Sequence, residues 1–293
     1  MAQARDNSDV ASFATGSYEC RVYYQDSDEV IREHIHHLDG WKPSNVPGFK
    51  AKPGSPLAAV GWGPEIRVYC VSVEGNLEEW CYSPGQDRWQ PGYLSDGKYP
   101  VAAASKLAAV FWYDGSPHIR VYAQDSENQI VEYANSGPSW SKRVVVPGAQ
   151  VGASMAAVCW EENGIRLRLY YQFIDGGIKE HCSDAGGDWF SGDFSTPGLP
   201  PYTALAALAW PGSGAPVRVY FQDPGASIAE FKHNQTWGYD STVVGPLRPG
   251  RRISALEWGS GAELRVYYQA DDNKIREMAR SNGGPWEAGE FVS

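Results

Sequence analysis

Three features of the sequence predict an all-β fold assembled from six repeated units. The tripeptide Arg-[Val/Leu]-Tyr begins at Arg21, Arg67, Arg120, Arg168, Arg218 and Arg265. A glutamate stands twelve residues after each of these arginines, at Glu33, Glu79, Glu132, Glu180, Glu230 and Glu277. A tryptophan follows seven to ten residues later, at Trp41, Trp89, Trp140, Trp189, Trp237 and Trp286. Self-similarity at a near-constant period is the mark of a repeat architecture. The Arg-to-Arg spacings are 46, 53, 48, 50 and 47, whereas the Arg-to-Glu separation never changes. That contrast calls for a local physical cause.

Each repeat holds four strand candidates in a fixed order. The first is an Ala-rich run ending in Trp, as in Leu-Ala-Ala-Val-Gly-Trp62, Leu-Ala-Ala-Val-Phe-Trp112 and Met-Ala-Ala-Val-Cys-Trp160. Leu-Ala-Ala-Leu-Ala-Trp210 and Ile-Ser-Ala-Leu-Glu-Trp258 continue the series, and the first repeat has only a weaker version, Val10-Ala-Ser-Phe13. Small side chains there suit a strand crowded near a central axis. The Arg-x-Tyr run, the Ile-x-Glu run and the segment opening at Trp supply the other three. Turn-formers separate them, such as Glu-Gly-Asn at 74–76, Ser-Pro-Gly at 83–85 and Asp-Gly-Gly at 175–177. The hydrophobic period is two, which excludes a helical solenoid. Four short strands per repeat match the blade of a β-propeller. Repeats at 1–48, 49–100, 101–148, 149–198, 199–247 and 248–293 use the whole chain. A single six-bladed β-propeller domain over 1–293 is therefore expected, with the first and last repeats packed together.

Composition narrows the function. Aromatic residues make up 13% of the chain, with 12 Trp and 17 Tyr, and 32 Gly and 20 Pro suit many short strands joined by turns. A net charge of −10 argues against nucleic acid, whose phosphates attract Lys and Arg clusters. No apolar run approaches the ~20 residues that cross a bilayer, so no membrane insertion is expected. The segment Met1-Ala-Gln-Ala-Arg-Asp-Asn-Ser-Asp9 has no apolar core of a signal peptide. The expectation is cytosolic synthesis, with any cell-surface or extracellular location reached by unconventional export. Cys20, Cys70, Cys81, Cys159 and Cys182 are odd in number and lack metal or redox spacing, which suits small buried hydrophobes. His34, His36 and His37 cluster in sequence, but a solvated strand end explains them better than a metal, and no metal or cofactor is expected.

The residues two before and two after each Glu are mostly apolar and, by strand alternation, share its face. A carboxylate in such a row needs a partner, and the Arg on the neighbouring strand of the same hairpin is the obvious one. The pair reads two ways. It is either a salt bridge stitching the blades, with the Trp as packing, or a binding element at a cleft between blades. Guanidinium has five donors and carboxylate about four acceptor sites, so neither saturates the other. Vicinal hydroxyls fit such a pair, and an indole face covers the C–H side of a pyranose.

This pattern, Arg-Val-Tyr, Ile-x-Glu and Trp repeated six times after an Ala-Ala-Val-x-Trp strand, resembles the fucose-binding lectins of the Aleuria aurantia lectin family. The resemblance covers essentially the whole chain. It implies a six-bladed propeller in which L-fucose, the terminal sugar of fucosylated glycans, sits between neighbouring blades. One blade supplies Arg and Glu, and the next supplies the stacking aromatic. The implied sites are Arg21 and Glu33 with Trp89 and Tyr82; Arg67 and Glu79 with Trp140; and Arg120 and Glu132 with Trp189. They continue as Arg168 and Glu180 with Trp237; Arg218 and Glu230 with Trp286; and Arg265 and Glu277 with Trp41. The residue three after the Glu varies (His36, Tyr82, Asn135, Ser183, His233, Arg280), so the sites should differ in affinity. Relatives often dimerise, so the resemblance admits a homodimer, although no residue pattern marks an interface.

Two rivals remain. Propellers also host glycosidases, but glycoside hydrolysis needs two carboxyl groups flanking the bond, one with a raised pKa. Each repeat offers one Glu, and an adjacent Arg favours its charged form. The segment Ser183-Asp-Ala-Gly-Gly-Asp-Trp189 is faintly similar to the sialidase Asp box, with its aspartates misplaced. A protein-interaction propeller would carry recurrent Gly-Gly or Trp-Asp signatures, which are absent. The expectation is a multivalent lectin that catalyses nothing.

Overall fold

The constant Arg-to-Glu separation has its cause in one turn used six times. In the computed structural model, which describes residues 3–15, 19–137, 139–212 and 216–293, every second-to-third-strand hairpin closes with the same two backbone bonds. In the first hairpin the Asp26 N–H bonds the Val30 carbonyl and the Glu29 N–H returns to Asp26. The residue at the Glu29 position is left-handed in all six: Glu29, Gly75, Asn128, Gly176, Ala226 and Asn273 have φ between 62 and 85°. This is a type I turn closed by a left-handed residue, a favoured three-residue hairpin connection. One turn geometry in equal hairpins fixes the count of twelve.

Six sheets follow along the chain. Blade 1 comprises β1 (Val10–Ala14), β2 (Cys20–Gln25), β3 (Val30–His37) and β4 (Gly40–Pro43), with β5 (Phe49–Lys50) added on β3. The first sheet thus reaches two residues past the boundary expected at 48. Blade 2 comprises β6 (Ala58–Trp62), β7 (Glu65–Val71), β8 (Leu77–Tyr82) and β9 (Gln90–Pro91), followed by the one-turn α1 (Tyr93–Asp96). Blade 3 is β10 (Ala108–Tyr113), β11 (Pro117–Gln124), β12 (Ile130–Asn135) and β13 (Trp140–Val146). Blade 4 is β14 (Met155–Glu161), β15 (Ile165–Gln172), β16 (Ile178–Asp184) and β17 (Phe190–Ser195). Blade 5 is β18 (Leu205–Ala209), β19 (Val217–Gln222), β20 (Ile228–Asn234) and β21 (Thr236–Val244). Blade 6 is β22 (Ile253–Trp258), β23 (Glu263–Gln269), β24 (Ile275–Ser281) and β25 (Glu287–Val292). Each sheet is an antiparallel meander in sequence order, the pattern of a propeller blade.

Backbone contacts group the blades into two compact units. One is Met1–Val101 with Arg251–Ser293, holding blades 1, 2 and 6; the other is Ala102–Gly250, holding blades 3, 4 and 5. In the first unit β1 lies against β6 and β22; in the second β14 lies against β10 and β18. These are the Ala-rich strands, whose small side chains permit the approach. The first and last repeats do pack together: Ser12 Oγ meets Ser254 Oγ at 2.7 Å, and the Gln269 amide donates to the Arg5 carbonyl at 2.7 Å.

The core within each unit lies between adjacent blades. Tyr23 of blade 1 packs with Ile66 and Val68 of blade 2, and Tyr170 of blade 4 with Val217 and Val219 of blade 5. A buried glutamine closing the second strand ties each hairpin turn to the chain leading into the next blade. The Gln172 amide, for example, donates to the carbonyls of Gly176, Leu199 and Pro200. Gln25, Gln124, Gln222 and Gln269 act likewise, while blade 2 has Val71 there. Such an amide satisfies carbonyls that an irregular connection would otherwise bury without partners. All five cysteines are free thiols. Burial pushes Cys20, Cys81, Cys159 and Cys182 up to about 12, which leaves them inert.

Candidate functional site

The strand register puts Tyr, not Arg, directly across from each Glu. Tyr23 pairs with Glu33, and the same holds for Tyr69 and Glu79, Tyr122 and Glu132, Tyr170 and Glu180, Tyr220 and Glu230, and Tyr267 and Glu277. In five blades the Tyr hydroxyl donates to the carboxylate, at 2.6 to 3.3 Å. All six carboxylates are buried, none more than 8% exposed. The Tyr is thus the first partner that makes this burial tolerable. Sequence reading used it only as a repeat marker, although its fixed place two residues after Arg was the available signal.

Five of the carboxylates receive a further donor from their own fourth strand or the turn just after it, and the donor differs between blades. Leu94 N–H bonds Glu79 at 3.2 Å, Phe194 N–H bonds Glu180 at 3.1 Å, and Phe291 N–H bonds Glu277 at 3.0 Å. Two residues before each of these donors stands Gly92, Gly192 or Gly289, where an added Cβ would come within 2.1 to 2.5 Å of the glutamate side chain. Blade 3 carries Arg143 instead, with its Nε 2.8 Å from Glu132 Oε1. In blade 5 the Ser241 hydroxyl bonds Glu230 at 2.8 Å.

The guanidiniums approach these carboxylates at different ranges. The contacts are short for Arg21 (2.7 Å), Arg265 (2.9 Å) and Arg218 (3.2 Å), and loose for Arg67 (3.9 Å), Arg120 (4.0 Å) and Arg168 (4.0 Å). In blades 2 to 6 it is Nε that faces the Glu. Nη1 is held elsewhere in four of them: by the Ile66 carbonyl and Glu65, by the Ile119 carbonyl, by the Leu167 carbonyl and Asp184, and by the Leu264 carbonyl and Glu263. Among the described residues, Nη2 of Arg67, Arg120, Arg168, Arg218 and Arg265 takes no hydrogen-bond partner.

A tryptophan ending the first strand fixes this orientation. The guanidinium carbons of Arg67, Arg120, Arg168, Arg218 and Arg265 lie 4.5 to 5.6 Å over the rings of Trp62, Trp112, Trp160, Trp210 and Trp258. Cation–π attraction holds the guanidinium flat and leaves one edge outward. Sequence reading noticed these tryptophans but gave them no role. Blade 1 has Thr15 at that place, and Arg21 is turned: Nη1 binds Glu33 and Nη2 binds Glu19 at 2.5 Å. Each of its terminal nitrogens is tied to a carboxylate.

The tryptophan of the following blade stands edge-on against the Glu-holding tyrosine. Trp89 meets Tyr23, Trp189 meets Tyr122, Trp237 meets Tyr170 and Trp41 meets Tyr267, with centroids 5.9 to 6.1 Å apart and planes at 81 to 90°. Trp41 Nε1 also donates to Glu277 at 3.2 Å. Trp89 is only 6% exposed, and Tyr82 lies beside it at 5.8 Å. Trp140 and Trp286, expected at the Arg67–Glu79 and Arg218–Glu230 pairs, belong to the opposite unit from those pairs. Their placement at those pairs stays an expectation from the sequence.

Two grooves of about 500 Å³ open at these constellations. One runs between blades 3 and 4 and is lined by Arg120, Glu132, Leu167 and Ser183; the other runs between blades 6 and 1 and is lined by Arg265, Glu277, Trp41 and Cys20. Burial pushes the Glu79 and Glu277 carboxyls above their ordinary range, outweighing the Leu94 and Phe291 N–H groups and the Arg67 and Arg265 guanidiniums. The neighbouring Arg favours the charged form as expected, but in these two burial outweighs it. The three clustered histidines do not converge: His34 is buried against Tyr24 and Phe291 and lowered to about 4, while His36 packs on Trp41.

A groove that offers a guanidinium edge, a buried carboxylate and an indole, seen between blades 3 and 4 and again between blades 6 and 1, defines a sugar-binding propeller. The family described as "Fungal fucose-specific lectin" matches residues 6–290, and the chain belongs to it. It is 34% identical to the fucose-specific lectin of Aleuria aurantia, over 93% of this chain and 73% of that protein. A mutant of that lectin in complex with α-methyl-L-fucoside has a TM-score of 0.86 and 32% identity, covering all of this chain and 97% of the other. A further structure of the lectin, described as a six-bladed β-propeller with a novel fucose recognition mode, has a TM-score of 0.86 at 30% identity with the same coverage. The fold is the six-bladed β-propeller.

Proposed function

We propose that the protein is a multivalent lectin that binds L-fucose and fucosylated glycans in the grooves between neighbouring blades, without catalysis. One observation carries this reading. Five guanidiniums present an Nη2 without a hydrogen-bond partner among the described residues, beside a buried carboxylate whose position is fixed by its own blade. A sugar hydroxyl both donates and accepts, so it can accept from Nη2 while donating to the carboxylate. The next blade's indole supplies the apolar face. The relatives named as fucose-specific lectins, and the α-methyl-L-fucoside complex, support the choice of sugar. Recurrence of the guanidinium–carboxylate pair in every blade fits binding better than a single reaction centre.

A neutral monosaccharide making a few charge-assisted bonds should bind at micromolar to sub-millimolar strength, roughly, and several grooves raise avidity by about 10²–10⁴ on a glycan-bearing surface. Agglutination or adhesion is the corresponding act, and a homodimer would double the valency. Isothermal calorimetry with methyl-α-L-fucoside should give saturable heat at more than one and fewer than six sites per chain, with no fucose released. The Arg21 groove should be the weakest, since each terminal nitrogen of Arg21 is already tied to a carboxylate. Absence of heat at millimolar fucoside with folded protein would overturn the reading.

Acid should weaken binding where Glu277 acts. Its pKa is raised, so it protonates at a higher pH than an ordinary glutamate and loses acceptor capacity there. Stability runs the other way. Between the unfolded and the raised folded value the folded state binds more protons, so this group adds stability as pH falls, and that contribution is lost as pH rises through the folded value. In a protein retaining only the Arg265 groove, fucoside affinity should drop above the ordinary glutamate range while the melting temperature shows no loss assignable to Glu277. Affinity that stays flat down to that range would contradict this.

A further inference from the structure

The groove between blades 3 and 4 and the groove between blades 6 and 1 share volume and frame but differ in charge. Arg120, Lys142 and Arg143 line the first with a single carboxylate, Glu132. Glu263, Glu277 and Glu290 line the second with a single cation, Arg265. In a chain of net charge −10, a groove with excess positive charge is a local reversal.

The reversal centres on one position, three residues after the fourth-strand Trp. Blades 2, 4 and 6 have glycine there, pressed against the glutamate; blade 3 has Arg143, directly across from Glu132 in the strand register. Glu132 is therefore shared by two guanidiniums. Arg143 remains half-exposed, and apart from its Nε bond to Glu132 it has no partner among the described residues. Ser139 and Ser141 line the same groove.

We propose that the groove between blades 3 and 4 selects fucosylated glycans carrying an anionic group, a carboxylate or a sulfate ester, on the sugar next to the fucose. The groove between blades 6 and 1 selects neutral ones. This rests on the reading of both grooves as fucose sites. Fucose that engages Arg120 and Glu132 leaves its neighbouring sugar at the rim, within reach of Arg143. A planar guanidinium fork matches carboxylate and sulfate oxygens two at a time. At the other rim the same anion meets Glu263 and Glu290, and like charges across a contact disfavour the partner.

The test uses two single-groove proteins, each with Arg→Ala at the other five repeat arginines, one keeping Arg120 and the other Arg265. Each is titrated with a neutral fucosylated trisaccharide and with its sialylated and its sulfated forms. At low salt the Arg120 groove should prefer at least one anionic form by about three- to tenfold, and about 0.5 M salt should erase the preference. The two anionic arms tell carboxylate from sulfate. The Arg265 groove should prefer the neutral sugar. Arg143→Gly should bring the anionic-to-neutral ratio of the Arg120 groove down to one or below, whatever it does to affinity for the neutral form. Equal ratios in the two grooves, with the neutral sugar bound by both, would overturn the proposal alone. Failure of all three sugars to bind either folded protein would overturn the fucose reading as well.

Discussion

Arg265→Ala should weaken fucoside binding in the blade 6–blade 1 groove by roughly 10- to 100-fold and lower calorimetric stoichiometry by one, while the chain still folds. The binding loss follows from removing charge-assisted bonds worth about 1.5–3 kcal/mol, at 1.4 kcal/mol per tenfold. The fold should survive because Glu277 keeps the Phe291 N–H and Trp41 Nε1 as donors. A buried carboxylate that loses its cation still costs something, about 1–3 kcal/mol here. Thermal unfolding separates the two effects. A collapse of folding with no separable binding change would return the pairs to a purely structural role, stitching the blades.

Gly192→Val should be more damaging than its size suggests. The Cβ alone would sit 2.2 Å from Glu180 Oε2, in space the carboxylate occupies. The carboxylate must then leave the Phe194 N–H and the Tyr170 hydroxyl, which now hold it at 3.1 and 2.7 Å. Overpacking and lost bonds together should cost about 2–4 kcal/mol of stability. The Arg168 groove should lose its sugar at the same time. A similar change at Gly238, which like Gly192 lacks a left-handed φ but has nothing within 4 Å of an added Cβ, isolates the steric cause. Chemical denaturation and fucoside titration of both variants check this. Full binding by the Gly192 variant would show that the carboxylate position is not what makes the groove.

The six repeats and their four strands were legible because spacing is a property of the chain itself. The meaning of the constant spacing was not. It suggested a direct Arg–Glu bond, yet the observed approach ranges from 2.7 to 4.0 Å. The constancy belongs to the hairpin turn, whose left-handed residue is glycine in two blades and asparagine in two, but Glu29 and Ala226 in the others. Those last two are residue types that do not by themselves mark a left-handed position. Tyr and the first-strand Trp were visible in the repeat, and register plus alternation would have placed Tyr opposite Glu. What a repeat alignment cannot show is how a side chain turns. Arg21 has the same neighbours in sequence as its counterparts, but Thr15 in place of Trp lets it swing to Glu19. Arg143 was hidden for a different reason: it lies on the fourth strand, where spacing varies and no motif pointed.

Diffraction from crystals soaked in excess methyl-α-L-fucoside tests the central claim most directly. The account predicts a sugar in the blade 6–blade 1 groove, with hydroxyl oxygens within hydrogen-bond distance of Arg265 Nη2 and Glu277, and its apolar face toward Trp41. Grooves left empty at saturating fucoside, with Arg265 and Glu277 bonded only to their present protein partners, would contradict it.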